Sequence, residues 1–399
     1  MNLRAVFYSL GVCLVLALSI EACSPTPWNA SEPTIRREML DAYQAADELF
    51  TYVWTPEMFR NSRNEKKIEQ LIDRLIVDFH NIEQRAPIEA FEPGFRIALT
   101  VQHNTLDDVR KRFSEGQKEY ANWRLRGLSR NCIACHSRFN SPRNLLGSPP
   151  RVRDKSVDGR IAAAEFLVAS RQFDAGSEEL YELASDLLLT EGGLYEAFEA
   201  LKLWLVVEVR VKNRGQYSAE RLESLLESKY LPQEKAEVLR AWASDLGRLN
   251  RGAKDPDQAT VIRARQLLVP VFREEAIPEK EKHLVSTLKA SAYLHDILRT
   301  GLSIEEKRKA SYLLAVAYDS MPIQSFDVFA PMYLEQCIRE FPQTKEAQLS
   351  YQRLKTRTEL DSTGSGGLHL DRGQQERLKK LRGSAYGARS SLLSDAINP

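Results

Sequence analysis

The run Cys132-Ile133-Ala134-Cys135-His136 constrains what this chain can fold into more than any other five residues. On a helix, residues three and four apart share a face, so both thiols and the imidazole point the same way, at one flat ligand. The fold has to supply a helix with a cavity against that face. With five Cys and six His in 399 residues, random placement gives this pentapeptide in about one chain in a thousand.

Three chemistries use such a run. A structural zinc cage needs four ligands, usually from two paired clusters, and neither a second C-x-x-C nor an H-x-x-x-H occurs in the chain. A redox dithiol is expected beside a β-α-β pattern, whereas the flanks here read as helix. The third is covalent haem. C-x-x-C-H is the attachment signature of a c-type haem, with thioethers at Cys132 and Cys135 and His136 as the axial iron ligand. One covalent haem c is the expected cofactor.

The N-terminus reads as a secretion signal over residues 1–22. A short positive region through Arg4 precedes an apolar run over 5–20 that ends at small residues, and the run is shorter than the roughly 20 apolar residues of a spanning helix. Ile20-Glu21-Ala22-Cys23 resembles the bacterial lipoprotein lipobox, which implies lipidation of Cys23; cleavage without lipid and an uncleaved anchor are the alternatives. Ser24 after that cysteine implies outer-membrane sorting, and the expected location is the bacterial periplasm, tethered to the membrane by the lipid. The cysteines then divide cleanly. Cys13 leaves with the signal, Cys23 takes lipid, Cys132 and Cys135 take haem, and Cys337, inside an apolar helical stripe, is expected to be a buried inert thiol.

After a Pro- and Ser-rich tether over 23–33, helical periodicity begins. Ile35, Met39, Ala42, Ala46, Leu49 and Val53 form one apolar stripe; Ile68, Leu71, Ile72, Leu75, Phe79 and Ile82 form a second, ended by Pro87. A third helix is expected over 93–113 through Ile97, Val101, Leu106 and Val109. A fourth starts near Lys118 and carries Tyr120, Trp123 and Leu128 towards the motif. The expected fold class is all-α, with a four-helix haem domain over 34–140. A Pro- and Gly-rich linker follows over 141–158.

Helical pairs then recur over 159–359, at 160–171 with 177–189, 194–211 with 219–228, 233–249 with 259–271, 280–298 with 305–320, and 326–341 with 345–359. Recurrence of this length marks an α-solenoid, with an irregular helical bundle as the alternative. Residues 360–399 begin Gly- and Ser-rich, turn basic and polar, and are expected to lack a packed core.

At the motif, Cys135-His136-Ser137-Arg138-Phe139 resembles the class II c-type cytochromes, the cytochrome c-prime group, with an aromatic three residues after the histidine; the basic residue that often follows is Asn140 here. The resemblance implies a four-helix bundle with C-x-x-C-H near the end of helix four. Some low-spin members take a methionine from the first helix as sixth ligand, which implies Met39; Met58, His80 and His103 are the other candidates, and an open sixth site is the remaining one. Ala164-Glu165-Phe166-Leu167, Gln172-Phe173-Asp174-Ala175 and Leu180-Tyr181, and again Ala310, Ala317 and the run from Tyr333 to Pro342, resemble tetratricopeptide repeats.

Arg124, Arg126, Arg130 and Arg138 crowd the motif and are expected either to pair with haem propionates, to steer an acidic redox partner, or to form a solvated helix face. A formal net charge of +1 gives no reason to expect nucleic acid as a partner. No P-loop, G-x-S-x-G or H-E-x-x-H motif occurs, so no enzyme is expected. The expectation is electron transfer with a redox or scaffold protein of the cell envelope. The alternatives are a non-redox helical-repeat lipoprotein and a haem-based gas sensor.

Overall fold

The computed structural model describes residues 28–85, 93–138, 156–251, 260–273, 277–323, 326–365 and 367–387. The expected signal, Cys23 and most of the expected linker lie outside the described residues. The described chain is all-α, apart from one two-stranded hairpin. Among the described residues, no helix is long and apolar enough to cross a membrane.

Helix α1 (Trp28–Val53) starts inside the stretch expected to be a tether. A short helix α2 (Pro56–Arg60) follows, then α3 (Glu65–Arg85) and α4 (Pro93–Ser114). The apolar stripe read in α3 is buried at every position, Ile68 through Ile82, each aliphatic side chain contributing about 2 kcal/mol of burial. Its neighbours are α1 and α4. Phe59 of α2 meets Phe113 of α4 edge to face, 5.4 Å between ring centroids.

The expected fourth helix is two. α5 (Lys118–Arg126) stops at Gly127, whose N–H already bonds back to Arg124, and the nine-residue α6 (Leu128–His136) restarts immediately. Glycine mid-helix costs about 1 kcal/mol, and the break lets the two segments point differently. Trp123 and Tyr120 are exposed, their rings tilted against each other with centroids 5.7 Å apart.

Beyond residue 156 come α7 (Val157–Ala169), α8 (Phe173–Leu188) and α9 (Leu194–Leu205). A π-helical segment, Val206–Lys212, extends α9 and ends on Asn213 in the left-handed region. Then follow α10 (Gly215–Leu225), α11 (Gln233–Arg251), α12 (Val261–Leu267), α13 (Val269–Arg273), α14 (Ile277–Lys282), α15 (Leu284–Leu298), α16 (Ile304–Asp319), α17 (Ala330–Glu340) and α18 (Lys345–Asp361). Pro270 explains the break between α12 and α13: it brings no N–H for a continuous helix. α7 packs on α8, α8 on α9, α10 on α11, and α15 through α18 pack each on the next.

Two expectations are corrected. The tail is not without a core: after a hairpin of β1 (Thr363–Gly364) and β2 (Gly367–Leu368), α19 (Arg372–Tyr386) packs on α17 and α18 and buries Leu378, Leu381 and Ala385. Asp371 and Gln374 close a capping box at its start. Nor is the expected linker a packing boundary. Ile97, Ala98 and Val101 of α4 and Ile133 and Ala134 of α6 belong to the same core as Ala164 and Val168 of α7. Phe166 of α7 belongs to the core of α1, α3 and α4, edge to face with Phe50 at 5.3 Å.

Candidate haem site

α6 is positioned by what it buries. Ile133 and Ala134 are fully buried and set the helix's rotation, which leaves Cys132, Cys135 and His136 along one side, the cysteines partly exposed and the histidine 8% exposed. Cys132 and His136 both line a slot between α1, α3, α4, α6 and α7. Its walls are chiefly apolar: Met39, Ala42 and Phe50 come from α1, Phe79 from α3, and Phe166 and Ala169 from α7. The slot encloses about 50 Å³, against the several hundred typical of a cofactor pocket. α1 would have to part from α6 and α7 to admit a porphyrin.

The histidine is already in the form an iron ligand requires. Its Nδ1–H donates a short hydrogen bond to the carbonyl of Ala169, at the last turn of α7. A carbonyl only accepts, so the proton sits on Nδ1 and the lone pair on Nε2. Metal-bound histidines are commonly held by such a bond from the other ring nitrogen. Burial pushes the imidazole pKa down to about 3, and the positive charge of Arg171 pushes the same way against the Ala169 bond. The ring is therefore neutral at any physiological pH.

Burial pushes the Cys132 thiol up to about 12, with Cys135 adding to the effect. Among the described residues no three His, Cys, Asp or Glu side chains converge as a cage would require.

One further group fits a ligand with a polar part. Gln102 of α4 lines the slot at 3% exposure, and neither its Nε2 nor its Oε1 has a hydrogen-bond partner among the described residues. A buried amide without partners costs about 1–3 kcal/mol, a cost a bound group with donor or acceptor atoms would offset.

Of the sixth-ligand candidates, the structure brings Met39 into the slot with His136 and leaves the others outside. Met58 on α2 is 40% exposed. His80 Nε2 accepts from the Gln84 amide at 2.7 Å on the surface, and His103 lies 3.2 Å from the Glu83 carboxylate.

The arginines around the motif are already engaged. Arg124 pairs with Asp108 at 3.3 Å, and Arg126 with Asp158 at 3.8 Å while lying over the Trp54 ring. Arg130 donates to Glu165 at 2.7 Å; Glu165 is 1% exposed and also accepts from Ser129 at 3.0 Å, which ties α6 to α7. Arg138 is not at an exposed edge at all. It is 4% exposed, pointing away from solvent onto Tyr318 of α16. Cys337 is buried as expected, its thiol pushed up to about 12 by burial.

Sequence reasoning missed Gln102, Phe166, the Ala169 carbonyl and Arg171. Gln102 sits on the apolar face of α4, one residue from Val101, and a polar residue on a buried stripe was the available signal. A backbone carbonyl carries no sequence signal. No family model, curated protein or solved structure matches the chain.

Proposed function

We propose that this chain is an exported monohaem c-type cytochrome that transfers electrons within a cell-envelope protein complex. The observation that carries the reading is the His136–Ala169 bond, which keeps the proton on Nδ1 and leaves Nε2 with its lone pair, in a side chain that shares the slot with Cys132. In this reading Cys132 and Cys135 hold the ring covalently and His136 takes the iron from one side. Bound haem supplies a one-electron Fe(III)/Fe(II) couple. Met39 offers a thioether from α1 as sixth ligand, and the apolar walls keep water from the iron, both of which favour a higher reduction potential. The slot's apolar lining supports the same use.

The architecture proposed with it is a four-helix haem bundle followed by a tetratricopeptide-like array, the array offering a surface to a redox or scaffold protein. Lipid on Cys23 would hold the assembly at the outer membrane, on the periplasmic side.

The test is intact mass and a pyridine haemochrome spectrum of protein matured with haem-attachment machinery in an exporting host. A mass gain of one haem plus a diacyl group supports the reading; a colourless protein with Cys132 and Cys135 open to alkylation overturns it and leaves the non-redox repeat lipoprotein. A low-spin spectrum that becomes high-spin in Met39→Ala supports the electron carrier. A high-spin spectrum unchanged by that substitution supports the gas-sensor reading, which the unpartnered Gln102 amide in the slot favours.

A further inference from the structure

Arg210 enters the core on the π-helical segment, a rare backbone form found mostly at functional sites, and is 7% exposed. Its Nε and Nη2 donate to the Ser291 hydroxyl at 3.1 and 2.6 Å, and Nη2 reaches the Met321 sulfur at 3.6 Å. Its Nη1 has no hydrogen-bond partner among the described residues. Glu208, two residues earlier and fully buried, is by contrast met by Ser177, Ser218, Lys212 and Arg214. The side chains that act on the Arg210 charge are Tyr318, Arg138 and Tyr333, with no carboxylate among them.

A buried cation without an anion is strongly unfavourable. Of those three neighbours only the phenols can become anions, and Tyr318 is the one whose ring Arg210 covers, with Cζ 5.4 Å from the centroid. A second guanidinium approaches the same phenol, since Arg138 Nε donates to its oxygen at 3.1 Å. His295 Nε2 of α15 lies 3.0 Å from that oxygen, and Tyr333 of α17 stacks on the ring. The other charges of the surrounding helices turn elsewhere: Arg353 and Arg357 of α18 pair with Asp319, and Arg263 of α12 covers Tyr293. Together Arg138, Arg210 and His295 outweigh burial and bring the phenol from its ordinary 10.0 to about 7.

We propose that Tyr318 is a pH-operated latch between the motif and the C-terminal helices. As phenolate it is the counter-ion of Arg210 and accepts from Arg138 and His295, which ties the residue two past His136 to α15 and α16. As phenol it donates its proton to His295 Nε2 and leaves Arg210 without an anion, and the latch slackens. Each cycle takes up and releases one proton per chain, His295 moving its own proton between its ring nitrogens, and needs no haem.

The test is an ultraviolet titration of the full chain, with hydrogen exchange of α6 followed in parallel. Of the 14 tyrosines, one is expected to gain the tyrosinate band at about pH 7. The step is expected to vanish in Tyr318→Phe and to move up towards the ordinary tyrosine range in Arg210→Met, whereas Arg210→Lys keeps the cation and should keep the step low. Protection of the α6 amides, corrected for the intrinsic exchange rate, is expected to rise above the step by up to about tenfold per pH unit in the wild type and to stay level in Tyr318→Phe. A wild type in which no tyrosine ionises below the ordinary range overturns the proposal, as does a step that survives in Tyr318→Phe. A step that leaves α6 protection unchanged on either side overturns it too. The wild-type titration and exchange need no variant to fold.

Discussion

Arg138 Nε lies 3.1 Å from the hydroxyl of Tyr318, 180 residues further along the chain. The phenol stacks on Tyr333 at 4.7 Å and shares a 3.0 Å hydrogen bond with His295. A second buried guanidinium, Arg210 from the π-helical segment, sits over the same ring at 5.4 Å and donates to Ser291. Two residues past His136, the chain is thus anchored in α15, α16 and α17. This cluster joins the motif to the C-terminal helices.

Tyr318 makes that joint pH-dependent. Burial alone would raise its pKa, but Arg138, Arg210 and His295 outweigh it and bring it from the ordinary 10.0 down to about 7. A lowered acid pKa stabilises the fold above the unfolded value and loses that contribution as pH falls towards the folded one. The stability difference between the wild type and Tyr318→Phe is therefore expected to grow from about pH 7 to about pH 10, by at most about 1.4 kcal/mol per unit. Denaturant unfolding at several pH values measures it; a flat difference across that window refutes it.

Glu165→Ala is expected to destabilise by about 2–3 kcal/mol, because it strands Arg130 and Ser129 at the contact between α6 and α7. The figure is below that for a fully buried pair since the Arg130 side chain is 29% exposed. Removing Arg130 as well should cost less than the two single changes added together, which a double-mutant cycle reads directly.

Leu381→Ala is expected to cost about 2–4 kcal/mol, since Leu381 is fully buried in α19. Lys379→Ala, two residues away on the exposed side, should fall within about 0.5 kcal/mol of wild type. Equal, negligible effects in thermal unfolding would mean that α19 is not part of the core.

Gln102→Leu should change sign with the state of the slot. In protein prepared without haem-attachment machinery it removes an orphaned amide and is expected to raise stability by about 1–3 kcal/mol. In haem-loaded protein that gain should vanish or reverse. Paired melting curves of the two preparations provide the comparison.

Much of the helical layout was legible because amphipathic stripes are local. The stripes of α3 and α4 lie where the spacing puts them, and Cys337 is buried as its neighbours imply. Helix α19 was not read: Leu378, Leu381 and Ala385 stand at helical spacing after the Asp371–Gln374 cap, but the polar composition around them masked the pattern. Other features left no pattern to read. α7 buries residues towards two cores, Phe166 on one and Ala164 and Val168 on the other, so it shows no single stripe. Arg138 has nothing in its neighbourhood to announce burial, because the rings that receive it, Tyr318, Phe329 and Tyr333, come from α16, from the residue before α17 and from α17.

By itself the sequence determined that Cys132, Cys135 and His136 share a helix face, since three- and four-residue spacing is a property of one turn and needs no distant partner. Which nitrogen of His136 keeps its proton and which arginines meet a carboxylate were decided only by the tertiary structure. Those outcomes depend on Ala169, Glu165 and Tyr318, groups that reach the motif only when burial packs α7 and α16 against it.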